Sequence, residues 1–125
     1  YSHSYDIPPG KMVLNRYGKD LTIMHCVSEY PCPVERLGLN DSWGKIKGLS
    51  DHTMSLITGA LCVPLGFKIV EKHFTYMNWG KDAHMSLNPE QLKEYINNIR
   101  EAEKAYQYKP YPTEKEMELL KEFWV

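Results

Sequence analysis

The sequence predicts an α/β domain in which helices cover a parallel sheet. Three short apolar runs rich in β-prone residues begin near positions 21, 48 and 67, and a loop with a helix-like or irregular crossover follows each of them. An amphipathic helix with a recognisable start signal comes after the third run. Repeated strand–crossover units with apolar strands are typical of parallel sheets, because both faces of such a sheet are covered.

The predicted strands are short and end at turn-forming residues. Residues 21–27 form a continuous apolar run, which predicts a strand buried on both faces, and two prolines then open a loop. A glycine-interrupted stretch leads to the second strand at 48–52, and the third covers 67–74. The segment before the first strand is an irregular lead-in that admits a short helix over 11–16.

The helices are predicted from the spacing of apolar residues and from cap residues. Apolar residues between 54 and 65 have helical spacing. The main helix begins at Asn88-Pro89, where asparagine suits the cap and proline suits the first turn. We expect it to run until Pro110, ahead of a charged terminal helix over 113–124.

The length limits how much of a barrel the chain can hold. At 125 residues the chain is one domain at most. A complete (β/α)₈ barrel takes about 250 residues, so about three of its eight strand–helix units fit here. On this interpretation the fold is a partial TIM barrel with parallel strands, formed by a single segment over residues 1–125.

The composition argues against nucleic acid and membrane partners. There are 15 Lys and Arg side chains against 16 Asp and Glu. The chain therefore lacks the excess positive charge that binding to nucleic acid or to an anionic membrane requires. No apolar run approaches the length of a transmembrane helix, and no secretory signal is visible. Cys26, Cys32 and Cys62 fit no zinc spacing and are interpreted as buried, reduced thiols of a cytoplasmic protein.

Polar side chains cluster where the predicted strands end. Side chains alternate faces along a strand, so Ser50 shares a face with His52, and Glu71 shares one with His73. The carboxyl ends of parallel strands build the active sites of α/β proteins, so we expect these groups around a common point. A lone histidine in an apolar strand is more often a packed, hydrogen-bonded residue, which is our interpretation of His25.

This combination of groups indicates a divalent-metal site with an acid–base group beside it. Two neutral imidazoles completed by water and oxygen ligands suit Mn²⁺, Mg²⁺, Co²⁺ or Fe²⁺ better than a closed zinc site. Such an ion acts as a Lewis acid on a carbonyl oxygen. Glu71, partly desolvated beside it, is the predicted proton-transfer group, and a salt bridge to Lys72 or another lysine is the alternative.

Four short strings carry a family resemblance. They are Met24-His25-Cys26-Val27-Ser28-Glu29-Tyr30-Pro31, Gly48-Leu49-Ser50-Asp51-His52-Thr53, Glu71-Lys72-His73-Phe74-Thr75 and Ser86-Leu87-Asn88-Pro89-Glu90. In order and separation they resemble the sialic acid synthase family, namely the N-acetylneuraminate, pseudaminate and legionaminate synthases and their spore-coat relatives. The resemblance implies a TIM-barrel enzyme that condenses phosphoenolpyruvate with an N-acyl amino-sugar aldehyde, such as N-acetylmannosamine, and releases phosphate and a nonulosonic acid.

The resemblance also implies a role for each matching residue. His52 and His73 would bind the divalent metal, most often Mn²⁺, and Glu71 would assist proton transfer or position the attacking water. Ser50 would lie near phosphoenolpyruvate, and Asp82 would hydrogen-bond sugar hydroxyls. The other implied residues of the substrate pocket are Ser28 and Tyr30.

The resemblance covers the C-terminal part of the barrel. The family's first five strands have no counterpart here, and neither does the antifreeze-like domain that follows the barrel in many relatives. We expect the chain to carry the metal half of the site and to homo-oligomerise or associate with the remaining barrel segment. Two alternatives stay open: a truncated homologue that binds metal or sugar without turnover, and a partial barrel that self-associates through exposed strand edges.

Overall fold

The structure is a computed structural model that describes residues 22–40, 46–107 and 112–123. These residues form a parallel sheet with α-helices around it. The strands, in sheet order, are β1 Met24–Cys26, β2 Gly48–Asp51 and β3 Ile69–Lys72. The α-helices are α1 Thr58–Leu61, α2 Pro89–Tyr106 and α3 Glu114–Phe123, and single 3₁₀ turns occur at Val34–Arg36 and Ala83–Met85.

The sheet has the predicted parallel arrangement. Strand β2 lies in the middle and pairs in parallel with β1 on one side and β3 on the other. Cys26 is opposite Ser50, and Ser50 is opposite Glu71. The α/β architecture is therefore confirmed, while the place of these units in an eight-unit barrel stays a prediction. None of the helices in the described ranges is long and apolar enough to cross a bilayer.

The core lies around the central strand. All four residues of β2 are buried, because β2 has a neighbouring strand on both sides. Leu49 is fully buried and packs in one cluster with Leu37, Cys62 and Phe67. The burial of β2 matters for function because this strand contains Ser50 and leads directly into His52.

The prediction that the first strand is buried on both faces is wrong. In β1, Met24 and His25 are half-buried and Cys26 is exposed. The reason is that β1 is an outer strand of the described sheet, so only the β2 side has a neighbour. The interpretation of Cys26 as a buried thiol fails with it, whereas Cys32 and Cys62 are buried. His25 is hydrogen-bonded as expected, with Nε2 2.7 Å from the Leu37 carbonyl oxygen.

The predicted helix over 54–65 is reduced to the four residues of α1. Side-chain hydroxyls hold the preceding segment in turns: Thr53 Oγ1 accepts from the Ser55 amide at 3.2 Å, and Ser55 Oγ accepts from the Ile57 amide at 3.3 Å. The predicted strand over 67–74 is likewise shortened to β3. The spacing of apolar residues does not reveal that the Thr53 and Ser55 hydroxyls compete with helix formation for backbone amides.

Helix α2 begins where the sequence predicts. Asn88 Oδ1 accepts from the Gln91 amide at 2.8 Å, and Gln91 Oε1 accepts from the Asn88 amide at 3.0 Å. This reciprocal pair satisfies two amides that the first helical turn leaves without partners. The helix ends at Tyr106, several residues ahead of the predicted stop at Pro110, which lies outside the described residues.

Helix α3 begins one residue later than predicted, because Thr113 serves as its cap. Thr113 Oγ1 accepts from the Glu116 amide at 3.2 Å, and Glu116 Oε2 accepts from the Thr113 amide at 2.6 Å. The predicted end of this helix at Trp124 lies outside the described residues, as do the irregular lead-in and the helix over 11–16.

Replacing Asn88 by alanine should lower the free energy of unfolding by about 1 kcal/mol, because the Gln91 amide loses its acceptor. Urea denaturation followed by circular dichroism measures this change. The matched control is Asn97→Ala, which alters an exposed asparagine inside α2, where alanine has the better helix propensity. A loss in Asn97→Ala as large as the loss in Asn88→Ala would contradict the capping role.

Candidate functional site

The carboxyl ends of β2 and β3 bring a serine, a glutamate and two histidines together. Ser50 and Glu71 are opposite each other in the ladder, and Ser50 Oγ donates to Glu71 Oε2 at 2.5 Å. His52 lies on the same face, with Nε2 3.2 Å from Ser50 Oγ. The ring centroids of His52 and His73 are 5.4 Å apart, with the ring planes at 70°. The side chains meet as alternation along the strands predicts, and their chemical roles stay predictions.

His52 is held in one orientation by its neighbours. Only 3% of the residue is exposed, and its Nδ1 lies 2.7 Å from the Val27 carbonyl oxygen. Because a carbonyl oxygen only accepts hydrogen bonds, Nδ1 carries the hydrogen, and Nε2 of the neutral ring keeps its lone pair. The ring of Tyr30 lies 4.1 Å from the imidazole between centroids, tilted by 32°. Nε2 is therefore the nitrogen through which His52 can bind a ligand.

His73, Asp82 and Tyr30 form the rim of the site. His73 directly follows β3, and its Nδ1 lies 4.0 Å from Asp82 Oδ2. The Asp82 side chain is 63% exposed. The Tyr30 ring meets His73 edge-on, with the centroids 6.2 Å apart. Ser28 is exposed on the loop between β1 and Tyr30.

Glu71 differs from its prediction in two respects. It was expected to be partly desolvated, but it is exposed, because β3 is an outer strand of the described sheet. The alternative prediction, a salt bridge from Glu71 to Lys72, is also wrong. Lys72 lies on the other face of β3 and forms an ion pair with Asp51. The observed partner of Glu71 is the hydroxyl of Ser50.

Sequence reasoning missed the proximity of Cys26 to this site. Its Sγ lies 3.7 Å from Nδ1 and 3.8 Å from Nε2 of His52. A signal was present, because Cys26 lies at the carboxyl end of the predicted strand, close in sequence to Ser28 and Tyr30. Because residues 21–27 form an apolar run, Cys26 was interpreted as a buried core thiol and not as a neighbour of the site.

Sequence reasoning also missed a buried polar network on the opposite, helix-facing side of the sheet. Asp51 and Lys72 are paired in the ladder, and their ion pair spans 3.1 Å with the side chains 0% and 4% exposed. Tyr95 of α2 donates to Asp51 Oδ2 at 2.8 Å, and Thr58 of α1 donates to the same oxygen. Gly59 makes room for the phenol, because a Cβ there would lie 2.7 Å from the Tyr95 hydroxyl oxygen.

The protonation states of this network follow from its contacts. Burial would raise the pKa of Asp51, but hydrogen bonds from Thr58 and Thr53 and the charge of Lys72 outweigh it, so this pKa lies below its usual value. Burial, reinforced by the Asp51 charge, raises the pKa of Tyr95, so the phenol keeps its proton and donates. Burial lowers the pKa of Lys72 while the charge of Asp51 opposes that shift. Since Lys72 Nζ contacts two oxygen acceptors, we treat the pair as ionised.

The donors on the His52 face fit part of a divalent-metal coordination sphere. A metal-bound histidine typically donates its other ring N–H to a carbonyl or carboxylate, as His52 does to Val27. His73 has the Asp82 carboxylate nearby. Across 22–40, 46–107 and 112–123, no set of three or more His, Cys, Asp or Glu side chains is arranged to hold a metal ion. An ion here would take two imidazoles from this face and complete its shell with other oxygen ligands.

Comparison with known proteins identifies relatives of this chain. A model of the NeuB family matches residues 7–111. The chain is 35% identical, over 86% of its length, to a protein of Methanocaldococcus jannaschii whose function is uncharacterised. It is also 35% identical, over 70% of its length, to the N,N'-diacetyllegionaminic acid synthase of Campylobacter jejuni. It covers 35% and 28% of these two relatives, so it spans about a third of their length.

A solved structure supports the same relationship. The crystal structure of a protein described as spore coat polysaccharide biosynthesis protein E, from Chromobacterium violaceum, matches 90% of this chain with a TM-score of 0.70 and 28% identity. The chain covers 37% of that protein. By its match to the family model and to these relatives, the chain belongs to the NeuB family, as its resemblance to the sialic acid synthases predicts.

Proposed function

We propose that this chain carries the metal-binding part of a sialic acid synthase-type active site. The reaction would join phosphoenolpyruvate to the aldehyde carbon of an open-chain N-acyl amino sugar, such as N-acetylmannosamine, giving a nonulosonic acid and phosphate. Family membership supports the reaction class. The observation that carries the proposal is the approach of His52 to His73 beside the Ser50–Glu71 hydrogen bond.

His52 and His73 would hold the divalent ion. We propose Mn²⁺, with Mg²⁺ or Co²⁺ as alternatives, because imidazole and oxygen ligands together suit these ions. When bound, such an ion polarises the aldehyde oxygen as a Lewis acid. The hydrogen bond from Nδ1 of His52 to Val27 supports this assignment, because it leaves Nε2 free of hydrogen in the neutral ring.

Glu71 would hold the proton that the reaction moves. Water is consumed as phosphate leaves, so one proton must leave water and one must reach the aldehyde oxygen. Glu71 Oε2 accepts a hydrogen bond from Ser50, which keeps the carboxylate on the His52 face. A carboxylate so placed is suited to general acid–base catalysis.

Substrate contacts would come from the surrounding loops. Tyr30 would provide a flat wall beside His52, and the exposed carboxylate of Asp82 would accept hydrogen bonds from sugar hydroxyls. Ser50 would lie near phosphoenolpyruvate, and Ser28 would line the pocket on the Tyr30 loop. In the assembled protein, a second copy or the remaining barrel segment would supply the other walls.

The test is to incubate the chain with phosphoenolpyruvate, N-acetylmannosamine and Mn²⁺ and to measure phosphate and 2-keto acid product together. The proposal predicts equal amounts of the two products and dependence on both substrates. Mn²⁺ binding without product would support the alternative of a homologue that binds metal without turnover. A folded chain that neither binds Mn²⁺ nor forms product would contradict the proposal.

Glu71→Gln should leave Mn²⁺ bound and lower kcat by about 10²–10⁴-fold. Glutamine still accepts the Ser50 hydrogen bond but cannot take up a proton. The matched control is Glu103→Gln, which removes an exposed carboxylate that pairs with Arg100 at 2.9 Å on α2, and its kcat should equal that of the parent. Parental turnover in Glu71→Gln would rule out the proton-transfer role.

A further inference from the structure

The ion pair between Asp51 and Lys72 lies directly behind the candidate site. Both residues face the helices, while their chain neighbours His52, Glu71 and His73 face the opposite side of the sheet. Burying such a pair is often no better for stability than apolar packing of the same volume. Its contacts to the backbone beside His52 point to a second role.

Both members of the pair contact Thr53, the residue that follows His52. Asp51 Oδ1 accepts from the Thr53 amide at 2.9 Å and from its hydroxyl at 2.8 Å. The Lys72 ammonium donates to the Thr53 carbonyl oxygen. Thr53 is itself fully buried, so no water can replace these partners without opening the helix layer. The amide and the carbonyl of Thr53 are therefore fixed from the helix-facing side.

His52 is fixed from the other direction by the loop after β1. The Cys32 amide donates to the His52 carbonyl oxygen at 2.8 Å, and Nδ1 of the ring donates to the Val27 carbonyl oxygen at 2.7 Å. The ring can keep its bond to Val27 only while the backbone at 52–53 stays in place. On the helix side that placement depends on a lysine from the neighbouring strand.

We propose that Lys72, anchored by Asp51, is a positioning residue for the His52 imidazole. It acts through its bond to the Thr53 carbonyl and touches neither substrate nor metal. Because Lys72 stands between Glu71 and His73 in the chain, the same bond ties the β3 half of the site to the β2 half. The expected effect of Lys72 on metal binding rests on the function proposed above.

Two neutral double variants separate positioning from stability. Asp51→Asn with Lys72→Gln keeps an acceptor for the Thr53 amide and a donor for its carbonyl, whereas Asp51→Asn with Lys72→Met lacks only that donor. Neither variant leaves an unpaired buried charge. The first readout needs no metal: the ¹⁵N shifts of the His52 ring, assigned with His52→Gln and read where the ring is neutral, report whether Nδ1 carries the hydrogen. The second readout is the dissociation constant for Mn²⁺ from calorimetry, and the melting temperature of each variant is recorded.

We expect the glutamine variant to keep the Nδ1–H form and the parental Mn²⁺ affinity. The methionine variant should lose the predominance of that form and bind Mn²⁺ about tenfold to a hundredfold more weakly. Identical His52 shifts and Mn²⁺ affinities in the two variants would overturn the proposal, whatever their melting temperatures. If either double variant fails to fold in buffer, the two are compared in a stabilising osmolyte such as sucrose. If the parent itself binds no Mn²⁺, the proposed function fails, and the His52 shifts alone decide the positioning role.

Discussion

Replacing His52 by alanine should abolish Mn²⁺ binding in isothermal titration calorimetry. The substitution removes one of two imidazoles whose centroids lie 5.4 Å apart at the carboxyl ends of β2 and β3. In the described part of the chain, no group of three or more ligating side chains could take over. One imidazole with water ligands holds such an ion weakly, because each protein ligand lost must be replaced by water.

The matched control for this variant is His25→Ala. His25 comes from β1, and its Nε2 bonds the Leu37 carbonyl oxygen rather than facing His73. This control should bind Mn²⁺ as the parent does and show only a reduced melting temperature. Equal Mn²⁺ affinity in His52→Ala and the parent would remove His52 from the metal site.

Lys72→Met should lower the free energy of unfolding by about 3–5 kcal/mol, because it leaves the Asp51 carboxylate buried without its counter-charge. The Thr53 carbonyl also loses a donor. Guanidinium denaturation, followed by circular dichroism, measures the change. The expected loss is a large fraction of the stability of a typical domain.

Lys68→Met is the control for this effect. Lys68 is exposed and lies just before β3, so its replacement should change the free energy of unfolding by no more than about 0.5 kcal/mol. A Lys72→Met variant as stable as Lys68→Met would mean that the buried carboxylate is neutral or has found another partner. In either case Lys72 would not be the counter-charge on which the stability of the fold depends.

The sequence predicts the parts of this fold that depend on local pattern. The cap at Asn88 and the face that each of Ser50, His52, Glu71 and His73 occupies follow from spacing over a few residues. The parallel direction of the strands follows from the repeated strand–crossover units. Alternation along a strand determines which side chains share a face once the strand is identified. These predictions needed no knowledge of distant partners.

The parts that the sequence did not predict depend on distant partners. Tyr95 bonds Asp51 from 44 residues away, and Lys72 reaches Thr53 from 19 residues away. Alternation shows that the Asp51 and Lys72 side chains lie on the face of the sheet opposite the site. It does not show which residues they contact there. The exposure of Cys26 and Glu71 has the same origin, because it depends on which strands lie at the sheet's edges.

The most direct test of the account is electron spin echo spectroscopy of the full chain loaded with Mn²⁺, with the histidines labelled with ¹⁵N. Nitrogen nuclei bound directly to the ion modulate the echo, so the measurement counts imidazole ligands. We predict two coupled imidazole nitrogens in the parent and one fewer in a His73→Gln variant. Bound Mn²⁺ without any coupled histidine nitrogen would contradict the assignment of His52 and His73 as the metal-binding pair.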